Sequence, residues 1–319
     1  MTTLRAGVIG VGHLGQHHAR LYAELPDSTL VGVTDQDLGR ARTIAERHRA
    51  QTFERVQDLL KTVEVVSVAV PTSSHYAVAK ACLEAGRHVL VEKPIAVLPA
   101  EAEELVDLAR TKGCTLQVGH SERFNPIVPA MWPFIHRPVL IEGQRLGIYS
   151  ARGTDVDVVL DLMIHDLDLL LSCHLGTVLH VQAVGASVLS PTHDMANARI
   201  QFEGGCVANL TASRISPKAM RQWRVFQNDG SVSIDFQSRQ GVIGRRAAEP
   251  AEQAMAVAEE IQAGNGEPLR SQLESFLSAV RSASRPIIAG EDGAAALKLA
   301  HRVLSAMNVS GEEKRPEYP

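Results

Sequence analysis

Arg5-Ala-Gly-Val-Ile-Gly10-Val-Gly12-His-Leu-Gly15 decides the fold: a short β-rich run ends in a G-x-G-x-x-G turn and passes into a helical pattern from Leu14 to Leu25, stopped by Pro26. In such a strand-turn-helix unit a side chain at Gly10 would obstruct the tight turn. One at Gly12 would hold a pyrophosphate away from the backbone, and one at Gly15 would push helix from strand. The loop Gly10, Val11, Gly12, His13, Leu14 and Gly15 therefore reads as a phosphate cradle, with the positive end of the helix facing the anion.

Working outward, a second strand spans Thr29 to Thr34 and a helix Asp37 to Arg49. Val63-Glu-Val-Val-Ser-Val-Ala-Val70 is nearly continuous valine, as expected of a strand covered on both faces. A helix near Ser74 to Ala85, a strand His88 to Val91, a helix Pro99 to Lys112 and a strand Thr115 to Val118 complete an alternating series. That alternation predicts βαβ units on a parallel sheet, an α/β fold, with a domain boundary near residue 120. Beyond it, a helix Val156 to Cys173 precedes runs of two-residue alternation at Val178 to Leu189, Asn197 to Phe202, Val207 to Ser213, Arg221 to Gln227 and Ser231 to Phe236. Glu203-Gly-Gly-Cys206 and Asn228-Asp-Gly230 supply hairpin residues tolerant of positive φ, so this half should be an antiparallel sheet. Helices Leu269 to Ser282 and Gly293 to Met307 close the chain, the second with Asp292 as its N-cap, before a polar tail expected to fray.

The 319 residues suffice for two domains with a large core. Lys and Arg number 32 against 36 Asp and Glu, leaving a net charge of −4 and no basic stripe, which argues against a nucleic-acid partner. Val63 to Val70 is too brief to span a bilayer, and Val156 to Leu171 is broken by Asp157, Asp161, Asp166 and Asp168. With no leader pattern before the first strand, the expectation is a cytoplasmic protein without membrane contact. Cys82, Cys114, Cys173 and Cys206 are scattered and read as reduced thiols. His13, His17 and His18 lack the Glu or Cys that would complete a metal site, so no metal is expected.

Asp35, at the end of the second strand, is placed to bind a ribose diol. Its charge repels a 2′-phosphate, and Asp35-Gln36-Asp37 offers no immediate cation, Arg40 and Arg42 lying a helical turn further on. This favours NAD over NADP as cofactor. Glu92-Lys93-Pro94 follows the strand ending at Val91, so Lys93 should stand at the carboxyl edge of the sheet, where a partly desolvated lysine beside a cationic ring can orient or shuttle a proton. In an α-helix, Asp161 and His165 share one face of an otherwise greasy segment. His165 can take a hydroxyl proton while Asp161 binds that hydroxyl or its neighbour. Asp166 and Asp168 are weaker candidates, since Asp168 can simply cap or bridge between elements.

Gly10-x-Gly12-x-x-Gly15, Val70-Pro-Thr-x-x-His75, Glu92-Lys93-Pro94, Gly119-His-Ser-Glu-Arg-Phe-Asn-Pro126 and Asp161-x-x-x-His165-x-x-Asp168 occur in one order along nearly the whole chain. Together they resemble the glucose-fructose oxidoreductase/inositol dehydrogenase (Gfo/Idh/MocA) family. The resemblance implies residues 1–120 as an NAD-binding Rossmann domain and 121–319 as a substrate-binding and oligomerisation domain, α+β, on an open, mainly antiparallel sheet whose outer face pairs subunits into a homodimer or homotetramer. It implies catalytic roles for Lys93, Asp161 and His165. Pro71, Thr72, His75 and Glu92 are implied beside the cofactor, and Arg123 and Asn125 in the substrate pocket. Gly119 to Pro126 and Thr154 to Asp168 are similar to the branch that oxidises C3 of UDP-N-acetylglucosamine, making a ketone for a 3-aminotransferase on the way to lipid A. Val158-Val159 replace the Gly pair of many relatives, a change expected to reshape the sugar-receiving loop. A dehydrogenase of a free polyol or simple sugar, and a catalytically inert nucleotide-binding regulator, are the alternatives.

Overall fold

The computed structural model describes residues 3–150, 156–246 and 256–312. Thr154 and Asp155 of the motif above, and the tail beyond 312, lie outside them. The chain packs as two units, Met1–Ser121 with Glu267–Leu297, and Glu122–Gly266 with Lys298–Pro319.

The first unit is built from β1 (Leu4–Ile9), α1 (Gly15–Glu24), β2 (Ser28–Thr34), α2 (Leu38–His48), β3 (Gln51–Thr52), α3 (Val56–Leu60), β4 (Val65–Val68), α4 (His75–Glu84), β5 (His88–Glu92), α5 (Pro99–Lys112) and β6 (Leu116–Gly119). The sheet order is β3-β2-β1-β4-β5-β6, and every pairing is parallel. Helices on both faces explain the valine run, since all four residues of β4 are buried. The order reverses between β1 and β4, which opens a crevice at the carboxyl ends of those strands. Two-residue β3 and five-residue α3 are too short to show a period, and sequence reasoning missed both.

The second unit contains α6 (Ile127–Met131), β7 (Pro138–Leu146), a π-helical turn Val159–Met163, α7 (Ile164–Ser172), β8 (Val178–Ala186), β9 (Met195–Phe202), β10 (Val207–Ser213), β11 (Met220–Gln227), β12 (Gly230–Asp235), β13 (Gln240–Arg246) and β14 (Ala256–Gln262). Its strands run in the order β14-β13-β12-β11-β7-β10-β9-β8, an open sheet that is antiparallel except where β7 and β10 pair in parallel. Alternation buries one face: Ala196, Ala198, Ile200 and Phe202 from β9, Leu210 from β10, Trp223 and Val225 from β11. Gly205 has the positive φ expected at the β9–β10 turn, whereas the β11–β12 turn at Asn228 and Asp229 is made without one.

The segment Glu267–Leu297, assigned by the sequence reading to the second domain, packs with the first instead. On α8 (Pro268–Ser282), Leu273, Phe276 and Leu277 follow helical spacing and join Leu21, Tyr22 and Leu25 in the first unit's core. α9 (Gly290–Glu312) starts three residues earlier than expected, and Asp292 is not its N-cap. From inside the first turn its Oδ2 accepts from the Ala289 backbone N–H and from Arg285, each at 2.8 Å.

Candidate active site

The phosphate loop leaves β1 at Gly10, whose φ of +83° and approach to the Ala69 carbonyl oxygen, 2.7 Å from where a Cβ would sit, admit only glycine. A Cβ at Gly15 would fall inside contact distance of the Gly10 carbonyl oxygen. The constraint is thus the loop's own backbone more than the strand behind it. Gly12 differs: the nearest atom to its Cβ position is Arg40 Nη1 at 3.9 Å, so this face is open. No side chain caps α1 and its first turn carries no acid, which suits receipt of a pyrophosphate. His13 and Leu14 are exposed at the same loop.

Asp35 is held rigidly at the end of β2, with Oδ2 accepting from Val11 N–H at 2.8 Å and Oδ1 from Asp37 N–H at 2.9 Å. The expectation of no nearby cation is corrected here, because Arg40 reaches back to 3.6 Å from Asp35 Oδ1 and 3.2 Å from Asp37 Oδ2. Asp37 accepts from Arg40 N–H and so caps α2, which turns the Arg40 side chain toward the loop.

Across the crevice from β2, β4 leads into Val70 and Pro71, with Thr72 opening a short 3₁₀ turn, and β5 leads into Lys93. Lys93 is half-buried and the Lys93-Pro94 peptide is cis. Buried His75 spans both segments, Nδ1 at 2.7 Å from the Pro94 carbonyl oxygen and Nε2 at 2.9 Å from that of Val70. Burial holds its imidazole below the ordinary range even though both carbonyls favour the charged form. His75 thus stands between the two loops of the crevice and, as a neutral ring, has one N–H to donate to one of the two carbonyls. Glu92 is likewise buried rather than presented at the surface, and its Oε1 accepts from His18 Nε2 at 3.0 Å. Burial alone would raise that carboxyl, but His18, Lys93 and His75 together bring it below the ordinary value.

In the second unit, Asp161 lies in the π-helical turn and His165 in the first turn of α7, both half-buried. The Ile164 N–H reaches the Val159 carbonyl five residues back, so the four-residue spacing does not have the regular α-helical phase on which the sequence argument relied. Such widened turns recur at functional sites. Val158 and Val159 are fully buried and anchor the turn from the core. Asp157 accepts from Val159 N–H at 2.9 Å and from His193 Nδ1 at 2.6 Å at its start.

Below this segment lies a charged cluster that the sequence did not reveal. Arg145 of β7, 3% exposed, donates to Asp166 from Nε at 2.8 Å and Nη2 at 3.0 Å, and to Glu122 from Nη1 at 2.6 Å. Trp223 Nε1 adds a bond to Asp166 at 2.9 Å. Burial disfavours the charges of Arg145 and Glu122, yet the two acids hold the guanidinium protonated and Arg145 holds the Glu122 carboxyl below its usual range. Arg123 and Asn125, expected in the sugar pocket, both hydrogen-bond within this unit. Arg123 grips Asp168 through Nε at 2.8 Å and Nη2 at 2.7 Å, so that of the two structural roles, cap and bridge, Asp168 takes the bridge. Asn125 Nδ2 donates to Glu122 and to the Phe236 carbonyl. A lone arginine in a strand of alternating burial was the available signal for Arg145, and a histidine on the buried face of α1 was that for His18. Among the described residues there is no cluster suited to a metal ion and no helix long and apolar enough to cross a membrane.

Six parallel strands in this order, a phosphate loop after the first and a rigid carboxylate after the second define a Rossmann-type, NAD-dependent dehydrogenase. Residues 4–120 match the oxidoreductase family with an NAD-binding Rossmann fold, and residues 142–233 match the GFO/IDH/MocA C-terminal domain. The chain belongs to the Gfo/Idh/MocA oxidoreductase family. It is 37% identical over 308 residues to the UDP-N-acetylglucosamine 3-dehydrogenase of Acidithiobacillus ferrooxidans, covering 96% of each chain. The solved structure of UDP-N-acetylglucosamine 3-dehydrogenase GnnA from that organism superposes with a TM-score of 0.90 at 35% identity, over 97% of this chain and 99% of that one. A levoglucosan dehydrogenase in complex with NADH and levoglucosan shares the fold, with a TM-score of 0.87 at 18% identity over 97% and 98% of the two chains.

Proposed function

We propose that this enzyme oxidises the C3 hydroxyl of UDP-N-acetylglucosamine to the 3-keto sugar nucleotide. The observation that supports this substrate is the likeness, along 96% of both chains, to an enzyme of that name. Bound NAD⁺ supplies the hydride acceptor. Its pyrophosphate fits the open face of Gly12 and its ribose the fixed carboxylate of Asp35. His165 would take the hydroxyl proton, while the hydride from the same carbon would go to the bound nicotinamide, for a balance of ketone, NADH and one proton. Lys93 orients the hydroxyl and tunes its acidity, and Asp161 holds the sugar. The oxidation is uphill, and a 3-aminotransferase feeding lipid A synthesis would draw it forward. A cytoplasmic homodimer or homotetramer completes the proposal.

The test is a panel of UDP-sugars, free hexoses and inositols, followed by NADH absorbance and product mass. The expected result is NAD⁺ reduction with UDP-N-acetylglucosamine and a product lighter by two hydrogens. Turnover confined to free polyols would refute the substrate, and an inert protein that still binds NAD would refute catalysis.

A further inference from the structure

The buried polar groups that lead to Glu92, next to Lys93 in the chain, form a series that the catalytic roles above leave unused. Tyr22 Oη lies 2.9 Å from Ser67 Oγ, Ser67 Oγ 2.9 Å from His18 Nδ1, and His18 Nε2 3.0 Å from Glu92 Oε1. Tyr22, Ser67 and His18 are 0% exposed and Glu92 is 6% exposed. One assignment of hydrogens serves this whole series of contacts: the tyrosine hydroxyl donates to serine, the serine hydroxyl to His18 Nδ1, and His18 Nε2–H to the carboxylate. Burial raises the Tyr22 phenol, which keeps it a donor. Opposite Glu92 in the parallel register stands Gly119, where a Cβ would lie 2.7 Å from Oε1 and 2.8 Å from Oε2, so the carboxylate occupies space that only glycine leaves.

Such a carboxylate is costly to bury and needs a reason. Asp35 fixes the adenosine ribose on the β2 side of the switch point. A dinucleotide crossing that point therefore lays its other half over the ends of β4 and β5, where Glu92 is the last strand residue. That half carries a positive charge when oxidised and none when reduced. We propose that Glu92, anchored by the His18–Ser67–Tyr22 chain, is a fixed anion that makes the protein bind the oxidised nicotinamide in preference to the reduced one. His18, Ser67 and Tyr22 are positioning residues, acting only through Glu92. The arrangement favours capture of NAD⁺ before the reaction and departure of NADH after it.

The test compares dissociation constants for NAD⁺ and NADH, by calorimetry and nicotinamide fluorescence, with no substrate present. Glu92→Gln keeps the shape and the acceptor for His18 but removes the charge. It should weaken NAD⁺ about tenfold relative to NADH, as expected for loss of one unit charge across a few side-chain lengths of low-dielectric protein. Asp35→Asn, at the ribose end, should weaken both forms alike. If Glu92→Gln fails to fold, Ser67→Ala interrupts the chain with a smaller change and should move the ratio the same way by two- to threefold. A ratio within twofold of wild type in the folded Glu92 variant, or in Ser67→Ala where that is the one obtained, overturns the proposal. So does an equal shift in Asp35→Asn, since any lost carboxylate would then do the same.

Discussion

Replacing Gly12 by alanine separates what the phosphate loop does for the fold from what it does for the cofactor. The added methyl meets nothing nearer than Arg40 Nη1 at 3.9 Å, and the backbone at Gly12 is not in the positive-φ region. The cofactor-free variant should therefore be as stable as wild type or gain about 0.4–1 kcal/mol from the reduced freedom of its unfolded chain. On the proposed function, the same methyl stands where the pyrophosphate approaches. Losing a charge-assisted hydrogen bond costs about 1.5–3 kcal/mol, or roughly ten- to a hundredfold in NAD affinity. At an NAD⁺ concentration about 100 times the wild-type dissociation constant, the wild-type protein gains about 2.7 kcal/mol from binding, whereas a variant a hundredfold weaker gains about 0.4 kcal/mol. Denaturant titration with and without NAD⁺ reads both quantities. A variant stabilised by NAD⁺ as much as wild type would refute the reading of Gly12 as the point of closest phosphate approach. A variant unfolded without cofactor would refute the claim that its Cβ has room.

Gly15→Ala should behave oppositely and lose more than about 2 kcal/mol of stability without any ligand, because its Cβ falls on the Gly10 carbonyl; thermal melting of the cofactor-free protein checks this. Lys93→Ala should lower turnover by about 10²–10⁴-fold while NADH titration shows near-normal affinity. Arg145→Met strands Asp166 and Glu122 as buried carboxylates and should cost about 3–5 kcal/mol in urea unfolding. Acid should destabilise the protein in two stages. The unfolded chain takes up a proton at His75 near 6.5 that the folded state resists, so stability declines as pH falls through that value. Glu92 and Glu122 are depressed below 4.5, so their contribution is complete above that pH and lost below it as the folded carboxylates protonate. Urea midpoints measured from pH 8 to pH 3.5 follow both stages, and flat midpoints down to pH 4.5 would remove the histidine from the account.

The parallel half was legible because its signals are local. A glycine motif, a valine run and Pro99 at the first position of α5 each mark an element by their own chemistry, and α5 spans Pro99–Lys112 as read. β7 was not legible. It lies between β10 and β11, strands that come more than fifty residues later, so no hairpin signal flags it, and one of its two pairings is parallel. The π-helical turn around Asp161 escaped because periodicity assumes regular helix, and the phase changes at the residues of most interest. Arg123 and Asn125 matched a family pattern by position, but their partners, Asp168 and the Phe236 carbonyl, are far away in sequence and became visible only in the fold. Arg40 was judged by its distance along the chain, whereas the capped turn at Asp37 brings it back to Asp35.

The return of Glu267–Leu297 to the first unit has a consequence for biosynthesis. Leu273, Phe276 and Leu277 are emitted by the ribosome only after the intervening residues 122–266, so the nucleotide-binding half waits with Leu21, Tyr22 and Leu25 uncovered while the rest is translated. A nascent chain halted near residue 121 is an unfinished object with an apolar flank, a natural client for chaperones, and only the emergence of Glu267–Leu297 lets that half close.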